Sequence, residues 1–395
     1  MANRRDYRSI VLGAVLLAVG WTLAPHAGPL PASAQPATQP LKIGILAPLT
    51  GFAAVNAKPE VNGIKLRLKE LNYELAGRKV EVIVEDTAAD PPTALTKARK
   101  LVERDKVDIV LGPLVNHVVQ AVQEYTWSKN IPQIPLVAGT PETAKYPNAL
   151  VPSWNGVSIG QIFGQYAYRK FGYRKMAIVS SNFAFGRRNS DGFREGFTQA
   201  GGAIVKEAYP PLGTADFTPF LAALPAADAV YSFVPGADAV RYVKQRQELG
   251  QHERLPLLGL ISTVEGTLLP AMGDAALGSV AITHYYEDLD NAANRRFVAA
   301  YVKEYGENPL GYYAPLGYTI VQILEGGLKR TGGKTSPTES LVAAFRQVDF
   351  DSPQGRFRFD PVKPFPIIDY YILKVVKKEG KLGYEVLDVL KEVKP

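Results

Sequence analysis

The feature that most constrains the fold of this chain is a regular alternation of short apolar runs and longer amphipathic segments. The apolar run at 41–47 ends at Pro48 and predicts a buried strand. In the next segment, apolar residues recur at spacings of three and four, the stripe of an amphipathic helix: Val61, Ile64, Leu68 and Leu71. The alternation continues to Val137 and restarts after Trp154. Strands separated by helices in this way favour parallel sheets that are covered on both faces.

Because the alternation occurs twice, we predict two lobes. Two runs of strand, helix, strand, helix, strand fit two similar doubly wound lobes better than one large sheet. After His284 the pattern becomes mainly helical, and residues 355–376 return to a strand pattern. The predicted fold class is therefore α/β, with two doubly wound, Rossmann-like lobes. A ligand is expected between the lobes, where the carboxyl ends of the strands face each other.

Residues 1–34 follow the three-part plan of a secretory signal peptide. Arg4, Arg5 and Arg8 precede an apolar run at 10–24, and Ala-Ser-Ala follows at 32–34. The apolar run is shorter than the roughly 20 residues that span a bilayer. We predict cleavage after Ala34, a leader at 35–41 and a periplasmic location. Cleavage removes three Arg and one Asp, which lowers the formal charge from +7 to +5. This modest charge identifies no partner.

Motifs that would carry catalysis are incomplete. The segment 156–160 matches the G-x-S-x-G pattern of a hydrolase nucleophile, and His252 and His284 lie downstream of Ser158 in the order of a triad. The pattern requires a buried strand before the serine, and the preceding residues are a poor strand. The alternative is a helix start, with Asn155 or Ser158 near the N-cap. An exported serine hydrolase remains an alternative function.

Metal, cofactor and nucleic-acid sites are not expected. The chain has no cysteine, which excludes thiol catalysis, a disulfide scaffold, a lipid-anchor cysteine and a cysteine-based metal site. The histidines that follow the signal segment do not share a helix face at i, i+4: His117, His252 and His284. Residues 327–335 resemble a phosphate loop, but the glycine spacing is wrong, and we predict a helix end and a loop. Basic residues are dispersed, so nucleic-acid binding is not predicted.

Several short strings, in order and spacing, resemble the periplasmic solute-binding proteins of ABC transporters. The resemblance is to the type I group, which includes the leucine/isoleucine/valine-binding protein, and it covers residues 41–376. The strings are IGILAPLTG at 43–51, NG at 62–63, EDT at 85–87, DP at 90–91, GPL at 112–114, PLVA at 135–138, FG at 185–186, GADA at 236–239 and DN at 290–291. The resemblance implies a multi-crossover hinge between two lobes. Lobe 1 comprises 42–154 plus 284–354, and lobe 2 comprises 155–283 plus 355–395.

The resemblance also implies an anion site. In that family, loops of small residues at helix N-termini hold the ligand carboxylate, since backbone N–H groups and the helix dipole favour negative charge there. The matching positions are Asn116, His117, Ala138, Gly139 and Thr140. Members of the family usually have Ser or Thr near position 116, so Asn116 is a departure from the pattern.

Further candidates come from the second lobe and from the crossovers. Phe185 occupies the place of an aromatic residue that packs on the ligand, and Asn56 and Tyr285 are expected to line the cleft. In leucine-type binders an acid pairs with the ligand ammonium, and here the corresponding residue is Ile261. Glu265 and Asp238 are nearby substitutes. The cleft is therefore predicted to take a carboxylate ligand, either of the branched-chain amino acid type or an aromatic or other organic acid without an ammonium.

The resemblance implies a binding protein and not an enzyme. We expect a monomeric, extracytoplasmic component of an ABC importer that captures a small-molecule ligand by closing about a hinge and docks onto a permease in the inner membrane. No cofactor is expected. Besides the hydrolase, a ligand-sensing module that serves a receptor remains an alternative.

Overall fold

The computed structural model describes residues 39–136, 139, 142, 145–306 and 310–395. The predicted signal peptide at 1–34 and the leader up to Thr38 lie outside the described residues. None of the helices in the described ranges combines the length and apolar character that a membrane crossing requires.

The first sheet has five strands in the order β2-β3-β1-β4-β5. All neighbours are parallel except the short hairpin of β2 and β3. The strands are β1 Leu41–Ala47, β2 Glu74–Leu75, β3 Arg78–Asp86, β4 Ile109–Leu111 and β5 Gln133–Ile134. The central strands β1 and β4 are buried along almost their whole length, as expected of a parallel sheet covered on both faces.

The second sheet has a parallel half and an antiparallel half, in the order β11-β12-β13-β10-β9-β8-β6-β7, with β14 also paired to β13. Strands β6 to β10 are parallel, and β11 to β14 join as antiparallel neighbours. The strands are β6 Lys175–Ser180, β7 Ala203–Ala208, β8 Ala229–Phe233, β9 Leu257–Leu260, β10 Val280–Thr283, β11 Asp349–Ser352, β12 Gly355–Phe359, β13 Pro366–Lys378 and β14 Lys381–Val393.

Helices cover both sheets. In the described residues they are α1 Ala54–Glu70, α2 Pro91–Arg99, α3 Asn116–Ser128, α4 Gly156–Arg169, α5 Ala184–Gln199, α6 Thr218–Ala222, α7 Ala237–Glu248, α8 Gln251–Arg254, α9 Leu269–Met272, α10 Ala292–Tyr305, α11 Tyr313–Thr331 and α12 Thr338–Arg346. The predicted α/β fold with two lobes is confirmed. The segment 327–335 is the end of α11 with Gly332 as its C-cap, as predicted.

Each sheet has its own hydrophobic core. The first core packs the strands of the first sheet against α1, α2, α3, α11 and α12. The second core runs from Trp154 to Tyr312 and is completed by residues 368–375 of β13. Phe357 and Phe359 of β12 pack into the first core, although β12 pairs with a strand of the second sheet. The lobe boundaries proposed from the sequence stay a prediction.

Helices α4 and α5 pack at very short range because glycines face each other. A Cβ atom placed on Gly196 would lie 1.9 Å from the carbonyl oxygen of Gln161, and one on Gly164 would lie 2.3 Å from that of Phe193. Gly160 and Gly192 are equally close to backbone atoms of the opposite helix. Side chains larger than hydrogen would therefore force the two helices apart.

We expect Gly196→Ala to destabilise the protein. The added methyl group overlaps the backbone of α4, and overpacking of this kind costs about 1–3 kcal/mol, more than alanine gains in helix propensity. Chemical denaturation should show a lower midpoint for Gly196→Ala and an unchanged midpoint for Glu195→Ala, at the neighbouring exposed position. Equal midpoints for wild type and Gly196→Ala would contradict the close packing.

Candidate functional site

The main candidate site is a cavity between the two sheets. Most of its lining follows the carboxyl ends of five parallel strands, β1, β4, β6, β8 and β9. The lining residues are Phe52, Ala53, Asn56, Leu114, Val115, Asn116, Trp154, Phe183, Phe185, Phe233, Pro235, Ser262, Tyr312 and Tyr313. None of these described residues is charged.

The second sheet contributes an aromatic wall to the cavity. The ring of Phe233 lies 5.0 Å from that of Phe185 and 5.8 Å from that of Phe183, measured between centroids. Phe185 itself rests on Gly156, where a side chain would overlap the ring. Aromatic rings at these separations pack favourably with one another and offer a flat apolar surface.

A second aromatic group stands where the chain crosses between the sheets. The ring of Trp154 lies 4.3 Å from that of His284 and 5.1 Å from that of Tyr312. His284 is buried, and burial lowers its pKa to about 3, so the imidazole is neutral at physiological pH. The indole Nε1 of Trp154 is buried and has no hydrogen-bond partner in the described part of the chain.

Four long helices begin at this cavity. The N-cap residues of α1, α3, α5 and α11 all line it, and in none of them does a side chain cap the helix: Ala53, Val115, Phe183 and Tyr312. The first turn of a helix leaves backbone N–H groups without intrahelical acceptors, and the helix dipole adds partial positive charge there. The cavity therefore favours an anion.

Three other helices have conventional polar caps. Asp90 caps α2, Asn155 caps α4 and Asn291 caps α10, each through its side-chain oxygen, and none of these three residues lines the cavity. Helices α6, α7, α8, α9 and α12 also lack a side-chain cap although their N-cap residues lie outside the cavity lining, so a missing cap alone does not mark the cavity.

Helix α11 differs from the other three helices because acids lie at its N-terminus. Glu287 Oε1 accepts hydrogen bonds from the backbone N–H groups of Leu310 and Gly311, at 2.6 and 3.1 Å. The carboxyl group of Glu265 lies against the backbone of Gly311 and Tyr312. Glu265 is buried, and burial raises its pKa to about 7.

The cavity brings together three of the residues that the sequence singles out. Asn56 and Asn116 lie on its first-sheet side, and Phe185 lies in the aromatic wall. All three are at least 95% buried. Their role in binding a ligand stays a prediction. Ala138 and Thr140 lie outside the described residues.

The other candidates are not among the cavity residues. The carboxylate of Asp238 accepts a hydrogen bond from the Gly213 N–H at 2.7 Å and pairs with Arg241. The Tyr285 hydroxyl donates to Asn294 Oδ1 at 2.9 Å, within the second core. In both cases a local partner holds the side chain.

Three further candidates pack beside the cavity. Ile261 belongs to the second core, and its neighbour Ser262 lines the cavity instead. Gly139 packs under the side chains of Val151 and Phe365, where a Cβ would overlap both. His117 is half-buried in the first turn of α3, and burial lowers its pKa.

The structure does not support a hydrolase site at Ser158. Ser158 lies in the first turn of α4, which Asn155 caps, and no strand directly precedes this helix in the described chain. Gly156 and Gly160 have packing roles against Phe185 and α5. The described residues also contain no cluster of acidic or histidine side chains that could hold a metal ion.

Comparison with known proteins gives consistent matches. A family model described as periplasmic binding protein matches residues 40–381. The Leu/Ile/Val-binding protein homolog 6 of Brucella melitensis is 27% identical over 352 residues, which cover 87% of this chain and 90% of that protein.

Solved structures also match this chain over almost all of their own length. A solute binding protein of an ABC transporter from Rhodopseudomonas palustris BisB5, in complex with 3,4-dihydroxy benzoic acid, is 34% identical with a TM-score of 0.85, covering 90% of this chain and 98% of that chain. Another from R. palustris, in complex with benzoate, is 28% identical with a TM-score of 0.83, and covers 90% and 98%.

We expect the buried carboxyl of Glu265 to make stability depend on pH. Its pKa is about 7 in the folded protein against an ordinary 4.5, so the folded state holds the proton more tightly. The contribution to stability is complete below pH 4.5 and is lost as the pH rises to about 7, a change of roughly 3 kcal/mol. Glu265→Gln should remove this part of the decline in unfolding free energy, measured by denaturation from pH 4 to 8.

The exposed Glu253 provides the matched control, because its side chain is 80% exposed. Glu253→Gln should follow the wild-type curve. Parallel curves for wild type and Glu265→Gln would contradict the assignment.

Proposed function

The chain belongs to the periplasmic binding protein family, and on this premise we propose that it captures a small aromatic carboxylate for an ABC importer. The single observation that carries the proposal is the cavity itself, which combines uncapped helix N-termini with aromatic walls and has no charged residue in its described lining. Helix N-termini bind a carboxylate without a buried cation. The rings of Phe183, Phe185 and Phe233 offer a flat surface to an aromatic ring.

The uncharged lining argues against a free amino acid. An ammonium group that is buried on binding must be paired with an acid, or its desolvation costs several kcal/mol. The described lining contains no acidic residue, and Asp238 is already paired with Arg241. The relatives named as Leu/Ile/Val-binding proteins are therefore weaker guides to the ligand than the two R. palustris proteins with benzoate-type ligands.

Contacts across the cavity support capture by closure about a hinge. Arg188 Nη2 of α5 lies 2.5 Å from Glu142 Oε1, which belongs to the segment after β5. At the start of α7, a Cβ on Gly236 would lie 3.0 Å from the carbonyl oxygen of Phe52. The ion pair and the close approach each join a segment after a first-sheet strand to a helix of the second sheet, which is the arrangement expected when two lobes close about a hinge.

The remaining parts of the proposal follow from the family. The protein acts outside the cytoplasm after cleavage near Ala34, as a monomer that presents surfaces of both lobes to an inner-membrane permease. Binding needs no covalent chemistry, no cofactor and no nucleic acid, since backbone N–H groups, ring packing and water exclusion supply the affinity.

Calorimetric titration of the chain from residue 35 tests the ligand class. We expect benzoate to bind with micromolar affinity, and methyl benzoate and leucine to bind at least a hundredfold more weakly, because one lacks the negative charge and the other carries an unpaired ammonium. Saturation at a hundred times Kd should add about 2.7 kcal/mol to the unfolding free energy. Micromolar leucine binding without benzoate binding would refute the proposal.

The aromatic wall can be tested by Phe183→Ala. Phe183 lines the cavity and is only partly buried, so its removal should leave the fold intact. Loss of ring packing should weaken benzoate binding by about 10- to 100-fold. Trp127→Ala is the control, since Trp127 is exposed near the far end of α3. Equal loss of affinity in both variants, or in neither, would contradict a specific role for the wall.

A further inference from the structure

Two hydroxyl groups meet at one side of the cavity. Ser262 Oγ and the Tyr312 hydroxyl lie 2.9 Å apart, and both residues are almost completely buried. The Tyr313 ring stacks on that of Tyr312, with centroids 4.0 Å apart. All three residues line the cavity. This group is here called the hydroxyl cluster.

Buried carboxyl groups stand behind the hydroxyl cluster. Glu60 is completely buried, and neither of its side-chain oxygens has a hydrogen-bond partner among the residues that the structure describes. Glu265 is 1% exposed, and within the same part of the chain its Oε1 also lacks a partner, while its Oε2 accepts from the Thr267 hydroxyl. Both carboxyls interact electrostatically with Tyr313. Neither carboxyl lines the cavity, so a ligand meets the hydroxyls in front of them.

These acids give the cavity two different ends. At α1, α3 and α5 the uncapped N-termini favour the ligand carboxylate. At α11, Glu287 accepts from Leu310 and Gly311, and Glu265 lies against the following backbone, so the N-terminus there is already provided with acceptors. A second anion at that end would be repelled, whereas a neutral hydroxyl group can donate and accept hydrogen bonds.

Tyr312 and Tyr313 are suited to hydrogen bonding with a neutral hydroxyl group because their own hydroxyl groups stay protonated. Burial raises the pKa of both Tyr312 and Tyr313 above the ordinary value for tyrosine, and the nearby acids reinforce the effect. Each hydroxyl can therefore donate one hydrogen bond and accept another at physiological pH. An apolar ring edge placed against the cluster leaves part of this capacity unsatisfied, which carries a desolvation cost.

We propose that the hydroxyl cluster of Ser262, Tyr312 and Tyr313 selects aromatic carboxylates that carry a ring hydroxyl group, with the carboxylate directed to the N-termini of α1, α3 and α5. The proposal rests on the proposed function, and it adds that the cavity distinguishes ligands by a ring hydroxyl group. Plain benzoate fills the anion end and the aromatic wall, and it leaves part of the hydrogen-bonding capacity of the hydroxyl cluster unused.

The test is a calorimetric comparison of benzoate, 3-hydroxybenzoate and 4-hydroxybenzoate. We expect the wild-type protein to bind at least one hydroxylated acid about tenfold or more tightly than benzoate, because a buried polar group regains its partner. Ser262→Ala and Tyr312→Phe should each remove about tenfold of that preference, measured as the ratio of the benzoate Kd to the hydroxybenzoate Kd. Ser158→Ala, outside the cavity, should keep the wild-type preference.

The outcomes separate this inference from the proposed function. If benzoate binds and the hydroxylated acids bind no more tightly, the inference is wrong and the proposed function stands. The inference is also wrong if both variants keep the full preference. If none of the three acids binds, the proposed function fails and the inference fails with it. Tyr312→Phe keeps the ring, so it still decides the matter if Ser262→Ala does not fold.

Discussion

The site depends on the direction of parallel strands. When a strand is followed by a helix in a parallel sheet, the helix begins at the edge where the strand ends, and all such helices begin at the same edge. Here these edges of two sheets face one cavity, so α1, α3 and α5 direct their first turns at a common point. Their N-cap residues are Ala53, Val115 and Phe183, which have no side-chain acceptor to offer. The anion site thus comes from the chain direction, without a basic side chain in the described lining.

Much of this architecture is readable in the sequence. Alternating strand and helix patterns predict the two lobes, and residues shortly after strand ends, such as Asn56, Asn116 and Phe185, do reach the cavity. Tyr312 and Tyr313 escape detection because they belong to a segment far along the chain that returns to the first lobe. Asp238 and Tyr285 are suitable residue types near the right strands, but Arg241 and Asn294 hold their side chains. The sequence alone does not show that a local partner already holds such a side chain.

The N-cap residues explain why the start of one helix is hard to place from the sequence. Polar N-caps mark where helices start, as Asp90, Asn155 and Asn291 do here. Helix α5 has no such mark at its N-cap, Phe183, so a search for polar caps does not find its start. Missing caps also occur at helices away from the cavity, such as α7 and α12, so a missing cap points to a ligand site only together with the cavity that it faces.

The uncapped helices also give the proposed ligand a structural role. At many helices a polar N-cap side chain supplies an acceptor for the first-turn N–H groups, whereas the N-cap residues of α1, α3 and α5 offer none. On the proposed function, a bound carboxylate supplies acceptors to helices of both sheets at once. The ligand then links the two sheets and acts as a structural element of the closed protein.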